Sequence, residues 1–190
     1  MRGVFASKRK NPEVKGSFME QWDILTRDGK KTGRTVSRGA PIFRRGEYHL
    51  VVHIWLVDDK GNLLIQRRSD DKPLMPGEWA AIGGSALAGE SSRSAAKREL
   101  AEEMSIEKEE DELQLVKRLV RRNSLLDIYI AHTGAHVSDL TLQAEEVAEA
   151  RWVSSDDLCR LIESGKFHNY GKEYFDVVLP AVAKRSTKRI

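Results

Sequence analysis

Apolar and polar residues alternate along much of the first half of the chain, and this two-residue period predicts β-strands. Residues 20–38 alternate on either side of Asp28-Gly29, a dipeptide typical of a hairpin turn. Residues 47–69 contain two β-rich runs joined by turn residues at 58–62, which predicts a second hairpin. Its first arm is apolar almost throughout, so we expect that strand to be buried on both faces.

The period changes at residues 90–104, which are rich in helix formers and contain no proline or glycine. The apolar positions of this segment fall on one side of a helix, so we predict an amphipathic helix with one buried face. That face consists of Ala95, Ala96, Leu100 and Met104.

The rest of the pattern predicts a mixture of strands and helices. Residues 70–79 hold two prolines and a glycine and are expected to form a loop. Ser154 is positioned to cap a helix, and a last helix over residues 172–185 is expected to bend or break at Pro180. Further strands are predicted at residues 113–120, 126–131 and 150–153. Mixed strands with a few helices predict the α+β class, in an α/β/α layered domain.

Length and charge place this pattern in one domain. The chain has 190 residues, of which 40% are hydrophobic, enough for a single core. Residues 1–18 carry a net charge of +4, whereas the whole chain carries +3, so the basic excess lies in this segment. We therefore expect a flexible basic tail at residues 1–18, one domain over residues 19–190, and no nucleic-acid partner.

No apolar run approaches the length of a membrane span, and the first residues lack the apolar middle of a signal peptide. The single cysteine, Cys159, cannot form an internal disulfide, which fits a reducing compartment. We therefore expect a cytoplasmic protein without a membrane partner.

The predicted helix carries an unusual concentration of negative charge. Glu99, Glu102 and Glu103 stand three or four positions apart, so we expect their carboxylates to project together, with Arg98 as the near cation. Like charges at this spacing repel, and Mg²⁺, which prefers oxygen ligands, would compensate them. A solvated acidic face with one ion pair is the alternative.

The wider spacing decides between these interpretations. The segment reads Gly84, five residues, Glu90, seven residues, then "RELAEEMSI". This resembles the Nudix box of the Nudix hydrolase superfamily, G-x5-E-x7-R-E-U-x-E-E-x-G-U with U aliphatic. Ser105 replaces the last glycine, which commonly ends a helix in a left-handed conformation, so serine should cost about 1 kcal/mol or end the helix differently.

The resemblance implies a Nudix fold in which the box forms a loop, a helix and a loop. It also implies that the glutamates hold Mg²⁺ or Mn²⁺ against a substrate diphosphate while water attacks phosphorus. The implied metal ligands are Glu99, Glu103, Glu102 and the backbone carbonyl of Gly84. The implied catalytic residues are Glu102, which receives the proton of water, and Arg98, which orients the carboxylates by pairing with Glu90. Glu145 and Glu146 are further candidates for the base, with a solvated loop as the alternative.

Residues 48–69, 75–79 and 145–154 resemble the branch of the superfamily closest to isopentenyl-diphosphate isomerase. That enzyme needs a cysteine and a histidine in a C-G-H-P stretch, where this chain has Gly83-Gly84-Ser85-Ala86. The isomerase also uses an E-x-E pair downstream, and at the matching residues 125–127 of this chain only Asp127 is acidic. His49 matches one isomerase ligand, but a lone histidine on a strand is more often packed or hydrogen-bonded. Isomerase activity is therefore not expected.

Residues outside the box leave the substrate open. Arg67 and Arg68 could bind a distal phosphate or be ordinary strand-end arginines. Trp79, Trp152 and Tyr170 could stack on a base, although core packing is the better interpretation for the two tryptophans.

These features together predict hydrolysis of a nucleoside diphosphate linked to another group, with a small nucleotide-derived diphosphate as the partner. Nucleotide sugars and isoprenoid diphosphates are also open as substrates. A non-catalytic nucleotide-binding or regulatory module is the alternative function. The N-terminal hairpin would suit the contact of a homodimer.

Overall fold

The fold is described by a computed structural model for residues 19–39 and 44–186. The tail predicted at residues 1–18 lies outside the described residues. The described ranges form nine strands, three α-helices and a short 3-10 helix at Val137–Asp139. The strands are β1 (Gln21–Leu25), β2 (Lys31–Ser37), β3 (His49–Val57), β4 (Leu63–Arg68), β5 (Trp79–Ala80), β6 (Ile82–Ser85), β7 (Gln114–Val120), β8 (Ser124–His132) and β9 (Val147–Val153). The helices are α1 (Ser92–Met104), α2 (Ser155–Glu163) and α3 (Lys172–Ser186).

Strand β3 is the centre of a seven-stranded mixed sheet. It pairs in parallel with β8 along its whole length, and β8 pairs with the edge strand β7. The other edge of β3 is shared, because residues 56–57 pair with β4 and residues 51–54 pair with β6. Strands β4 and β3 therefore separate, and β6 carries Gly83 and Gly84 into the space between them.

Helices cover both faces of this sheet. Val52, Ile54 and Leu56 of β3 pack in one buried cluster with α1, whereas Trp55 and Val57 pack in a second cluster with α2 and α3. Successive strand residues point to opposite faces, so α1 lies on one face and α2 and α3 lie on the other. The predicted α+β class and the α/β/α layering are confirmed, and the four apolar residues expected on the buried face of α1 are all fully buried.

Most predicted elements are present, with three differences. Both predicted hairpins occur, as β1–β2 and β3–β4. Strands β5 and β6 were not predicted, and α1 begins two residues late because Ser91, not Glu90, precedes its first turn. Helix α3 continues through Pro180 and is not broken there, whereas a bend or a break was expected. Val178 and Val182 are buried on either side of this proline, and their packing keeps both halves of α3 against the sheet.

No helix in the described part is long and apolar enough to cross a membrane.

Candidate active site

Two glycines of β6 form the surface on which the acidic helix rests. Gly83 has φ of 147°, a conformation rare for other residues, and a β-carbon there would overlap the carbonyl oxygen of Val52. A β-carbon on Gly84 would lie 2.5 Å from Oε1 of Glu99. A side chain at Gly83 would therefore push β3 away from β6, and one at Gly84 would displace the carboxylate of Glu99.

Glu99 and Glu103 stand one turn apart on the buried side of α1 and are 9% and 3% exposed. Oε2 of Glu103 accepts hydrogen bonds from Nε2 of Gln66 at 3.1 Å and from the backbone N–H of Gly83 at 3.3 Å. Burial raises the pKa of Glu99 to about 7, although Arg98 opposes the shift. Burial together with the negative charge of Glu99 raises the pKa of Glu103 to about 8. The raised pKa values mean that the surroundings of both carboxylates do not fully compensate their negative charge.

Arg98 is the cation that links these carboxylates to the loop before α1. Its Nε and Nη2 donate to the carboxylate of Glu90 at 2.7 and 3.1 Å, which is the pairing expected from the sequence. Its Nη1 donates to Glu99 and to Glu102, each at 2.9 Å, and its Nη2 also donates to the carbonyl of Ser85 at 3.0 Å. Burial alone would lower the pKa of Arg98, but these carboxylates raise it overall.

The three glutamates differ in exposure, although Nη1 of Arg98 contacts both Glu99 and Glu102. Glu102 is exposed and is held by Arg98 at the rim, while Glu99 and Glu103 face β6. Among the described residues, no three His, Cys, Asp or Glu side chains are grouped so that they could hold a metal ion by themselves. The residues nevertheless fit a hard divalent cation, because the missing β-carbon of Gly84 lets the carboxylate of Glu99 lie against β6, and carboxylate oxygens are the ligands such a cation prefers. Backbone oxygen, water and substrate phosphate commonly complete such a shell.

Glu145 and Glu146 follow the 3-10 helix in a turn and differ in their surroundings. Glu145 is exposed, as the solvated-loop alternative describes. Glu146 forms an ion pair with Lys72 at 2.5 Å, and its negative charge contributes to the raised pKa of Glu103. Arg67 pairs with Asp70 at 3.1 Å, and Nε of Arg68 donates to the carbonyl of Leu74 at 3.1 Å.

The residues that match the isomerase are engaged in packing and ion pairing. The ring of His49 stacks on Trp22 with 4.5 Å between centroids, and burial lowers the pKa of His49 to about 4. Asp127 is buried and accepts hydrogen bonds from Nε and Nη2 of Arg118 at 2.6 and 2.7 Å and from Oγ of Ser92 at 2.5 Å. Asp127 thus ties β8 to the first turn of α1.

The aromatic candidates lie against the core. Trp79 is buried under the guanidinium of Arg151, which stands 4.0 Å from the ring centroid, and Trp152 donates through Nε1 to the carbonyl of Ala135 at 3.2 Å. Core packing, the preferred interpretation of both tryptophans, is what the structure shows. The hydroxyl of Tyr170 accepts a hydrogen bond from the backbone N–H of Ala81 at 3.3 Å, and burial raises the pKa of Tyr170.

Comparison with known proteins agrees with this geometry. A family model described as NUDIX domain matches residues 47–175. The chain belongs to the Nudix family. This Nudix chain is 40% identical to an uncharacterized Nudix hydrolase of Listeria monocytogenes over 153 residues, which cover 80% of this chain and 90% of that protein. A crystal structure from Deinococcus radiodurans matches with a TM-score of 0.68 and 22% identity, covering 87% of this chain and 98% of that one. The second match shows that the two proteins share the fold.

Isomerases are also among the relatives of this Nudix hydrolase. Isopentenyl-diphosphate Delta-isomerase 2 of Photorhabdus laumondii is 29% identical over 129 residues, which cover 66% of this chain and 73% of that protein. The sequence likeness to that branch is therefore confirmed. Gly83 and Ser85 occupy the positions at which the resemblance places the isomerase cysteine and histidine.

Gln66 is a site residue that the sequence did not single out. It lies on β4, outside the Nudix box, and its contact with Glu103 of α1 joins residues 37 positions apart in the sequence. The one signal in the sequence is that a polar residue follows Leu63, Leu64 and Ile65 in a buried strand.

Proposed function

We propose that this Nudix hydrolase cleaves the diphosphate bond of a nucleoside diphosphate linked to another group, with Mg²⁺ or Mn²⁺ as cofactor. The observation that carries the proposal is the pair Glu99 and Glu103, buried side by side against Gly83 and Gly84. Burying two carboxylates is unfavourable unless a positive charge compensates them. Arg98 reaches only Glu99 of the two, so a divalent cation is the partner that the pair lacks.

Each residue of the box has a role in this proposal. Glu99 and Glu103 hold the cation, and the carbonyl of Gly84 supplies a further oxygen. When bound, a divalent cation would neutralise phosphate charge and make an attacking water more acidic. Arg98, anchored by Glu90, keeps the carboxylates of Glu99 and Glu102 in place.

Glu102 is the residue that we assign as proton acceptor, because its side chain is exposed to solvent. The oxygen of water forms a bond to phosphorus and the bridging P–O bond breaks, with its electron pair leaving on the second phosphate. The proton of water passes to Glu102. The products are two phosphate-bearing fragments, one of them a monophosphate.

The test is a screen of the purified chain against nucleoside di- and triphosphates, nucleotide sugars and isoprenoid diphosphates, with and without Mg²⁺ or Mn²⁺. We expect metal-dependent phosphate-bond cleavage that is lost in Glu103→Gln and Glu102→Gln at unchanged folding. Glu109→Gln is the matched control, since Glu109 lies just after α1 and forms an exposed ion pair with Lys97 of that helix.

Two results would replace this function. Tight binding of a nucleotide without product would indicate the non-catalytic regulatory module. Conversion of isopentenyl diphosphate to its isomer would show that Gly83 and Ser85 do not prevent isomerase chemistry.

Three further proposals come from the sequence. We propose that residues 19–190 act as one domain behind a basic tail, that the protein works in the cytoplasm, and that the β1–β2 hairpin forms a homodimer contact. The first five residues of β2 are exposed in the isolated chain. Size-exclusion chromatography of wild type and of Arg34→Glu tests the dimer, and a monomeric wild type would reject it.

A further inference from the structure

Gln66 occupies a fully buried position at the point where β4 separates from β3. Its Nε2 lies 3.1 Å from the carbonyl oxygen of Ala81 and 3.1 Å from Oε2 of Glu103. Both partners accept hydrogen bonds, so the nitrogen of the amide must face them and the oxygen must face away. The orientation of the Gln66 amide is therefore fixed by its neighbours.

The other end of the amide has no compensating contact. Oε1 of Gln66 is buried and finds no hydrogen-bond donor among the described residues. An unsatisfied buried oxygen costs about 1–3 kcal/mol, which an apolar side chain of similar length would avoid. Stability of the fold alone thus gives a poor explanation for glutamine between the apolar residues of β4 and α1.

The contacts of Glu103 give a better explanation. Both hydrogen bonds that reach its carboxylate, from Gln66 and from Gly83, end on Oε2. These bonds hold Oε2 against β6 and leave Oε1 as the oxygen that can turn to a ligand. The bond from Gly83 is the longer of the two, at 3.3 Å, so Gln66 supplies the closer restraint.

We propose that Gln66 is a positioning residue that fixes the carboxylate of Glu103 so that Oε1 is presented to the divalent cation. This inference rests on the proposed function, because it requires a cation at Glu99 and Glu103. Gln66 itself does not touch the reacting atoms. Residues that orient a metal ligand in this way typically change metal affinity by about 10–100-fold when they are replaced.

The test is Gln66→Met in the full chain, with Mn²⁺ alone as the probe and electron paramagnetic resonance to measure free and bound metal. We expect the dissociation constant for Mn²⁺ to rise about 10-fold or more. In the absence of metal we expect the thermal midpoint of the variant to stay close to that of wild type, because loss of the two hydrogen bonds from Nε2 offsets removal of the unsatisfied oxygen. Excess Mn²⁺ should restore hydrolysis, because positioning and not chemistry has been lost.

Leu64→Met is the matched control. Leu64 lies two residues earlier on the same face of β4 and is fully buried. We expect this variant to bind Mn²⁺ as wild type does, which separates loss of the amide from a general disturbance of the strand.

Each other outcome overturns the inference in a recognisable way. Equal Mn²⁺ affinity in wild type and Gln66→Met would show that Glu103 does not depend on Gln66. A variant that is less stable than wild type without metal would show that the amide serves the fold. A wild type that binds no Mn²⁺ at millimolar concentration would overturn both this inference and the proposed function.

Discussion

Glu90 and Arg98 form a two-point ion pair, with 2.7 and 3.1 Å between the guanidinium nitrogens and the two carboxylate oxygens. The same carboxylate accepts a hydrogen bond from the backbone N–H of Leu87 at 2.7 Å. Glu90 therefore connects its own loop to Arg98 of α1. Through Arg98 it is also linked to the exposed Glu102.

Replacing Glu90 by glutamine should loosen this junction. Nε and Nη2 of Arg98 would then lose their anchor, and the guanidinium, which already contacts Glu99 and Glu102 through Nη1, would compete more strongly with a cation for them. We expect Glu90→Gln to lower the free energy of unfolding by about 1.5–3 kcal/mol, the range for a hydrogen bond to a charged group. We also expect weaker Mg²⁺ stabilisation in a thermal-shift titration. Glu109→Gln should change neither quantity measurably, because its ion pair is exposed. Identical behaviour of the two variants would contradict a special role for Glu90.

A β-carbon at Gly84 should act on the site more than on the fold. It would meet the carboxylate of Glu99 at 2.5 Å, and that carboxylate can move away by rotating. We expect Gly84→Ala to reduce kcat/KM about 100-fold, since displacing a positioned group by 1 Å can have this effect. Steady-state kinetics and urea unfolding measure the two effects. Gly134→Ala is the control, because a β-carbon there meets nothing within 4 Å. Unchanged kcat/KM in Gly84→Ala would place the metal elsewhere.

The metal-free protein should lose stability as the pH rises from 7 to 9. The pKa values of Glu99 and Glu103 are about 7 and 8 in the folded state, against 4.5 for an ordinary glutamate side chain. The folded state therefore binds more protons than the unfolded state between about pH 4.5 and 8, and stability falls as these protons leave. From the two values we expect a loss of about 2 kcal/mol between pH 7 and pH 9, measured by urea unfolding in EDTA.

A second variant and a second group make this pH test specific. Glu103→Gln should remove most of the decline, and added Mg²⁺ should stabilise wild type more at pH 9 than at pH 7. Burial lowers the pKa of His53 to about 3. His53 therefore affects stability only below pH 6.5, where protonation favours the unfolded state, and this lies outside the window of pH 7 to 9. A flat profile for wild type would mean that the two carboxylates are better compensated than their surroundings indicate.

Ser105 should be replaceable by glycine with a gain in stability. It ends α1 in the left-handed conformation, with φ of 54° and ψ of 35°, so the helix stops there as it would with glycine. Relief of the left-handed strain is worth about 1 kcal/mol, from which the exposed hydrogen bond of the Ser105 hydroxyl to Thr141 must be subtracted. We expect Ser105→Gly to be more stable by about 0.5 kcal/mol with unchanged activity. Ser105→Ala, which keeps the β-carbon, should be less stable than wild type.

The sequence predicted best what depends on regular spacing. The helical period placed Ala95, Ala96, Leu100 and Met104 on one buried face, and all four lie there. Turn residues identified both hairpins because their chemistry is local. The family and the layering followed from the Nudix box, whose fixed spacing is specific.

The parts that depend on long-range contact were not predictable in this way. Strands β5 and β6 are two and four residues long, too short for a period, and β6 contains two glycines. The division between Glu99 and Glu103 on one side and Glu102 on the other depends on how α1 is rotated against β6. Gln66 carried no motif, since its importance arises only where β4 passes the acidic helix.

The floor beneath the acidic helix is made of main-chain atoms, because Gly83 and Gly84 contribute no side chains. A point mutation cannot change a peptide carbonyl or amide without moving the backbone itself. Exposed side chains of the loop at residues 70–78 can therefore change while this floor keeps its chemistry. Because main-chain atoms form the floor and side chains form the loops, substitutions in the loops alone can change the substrate.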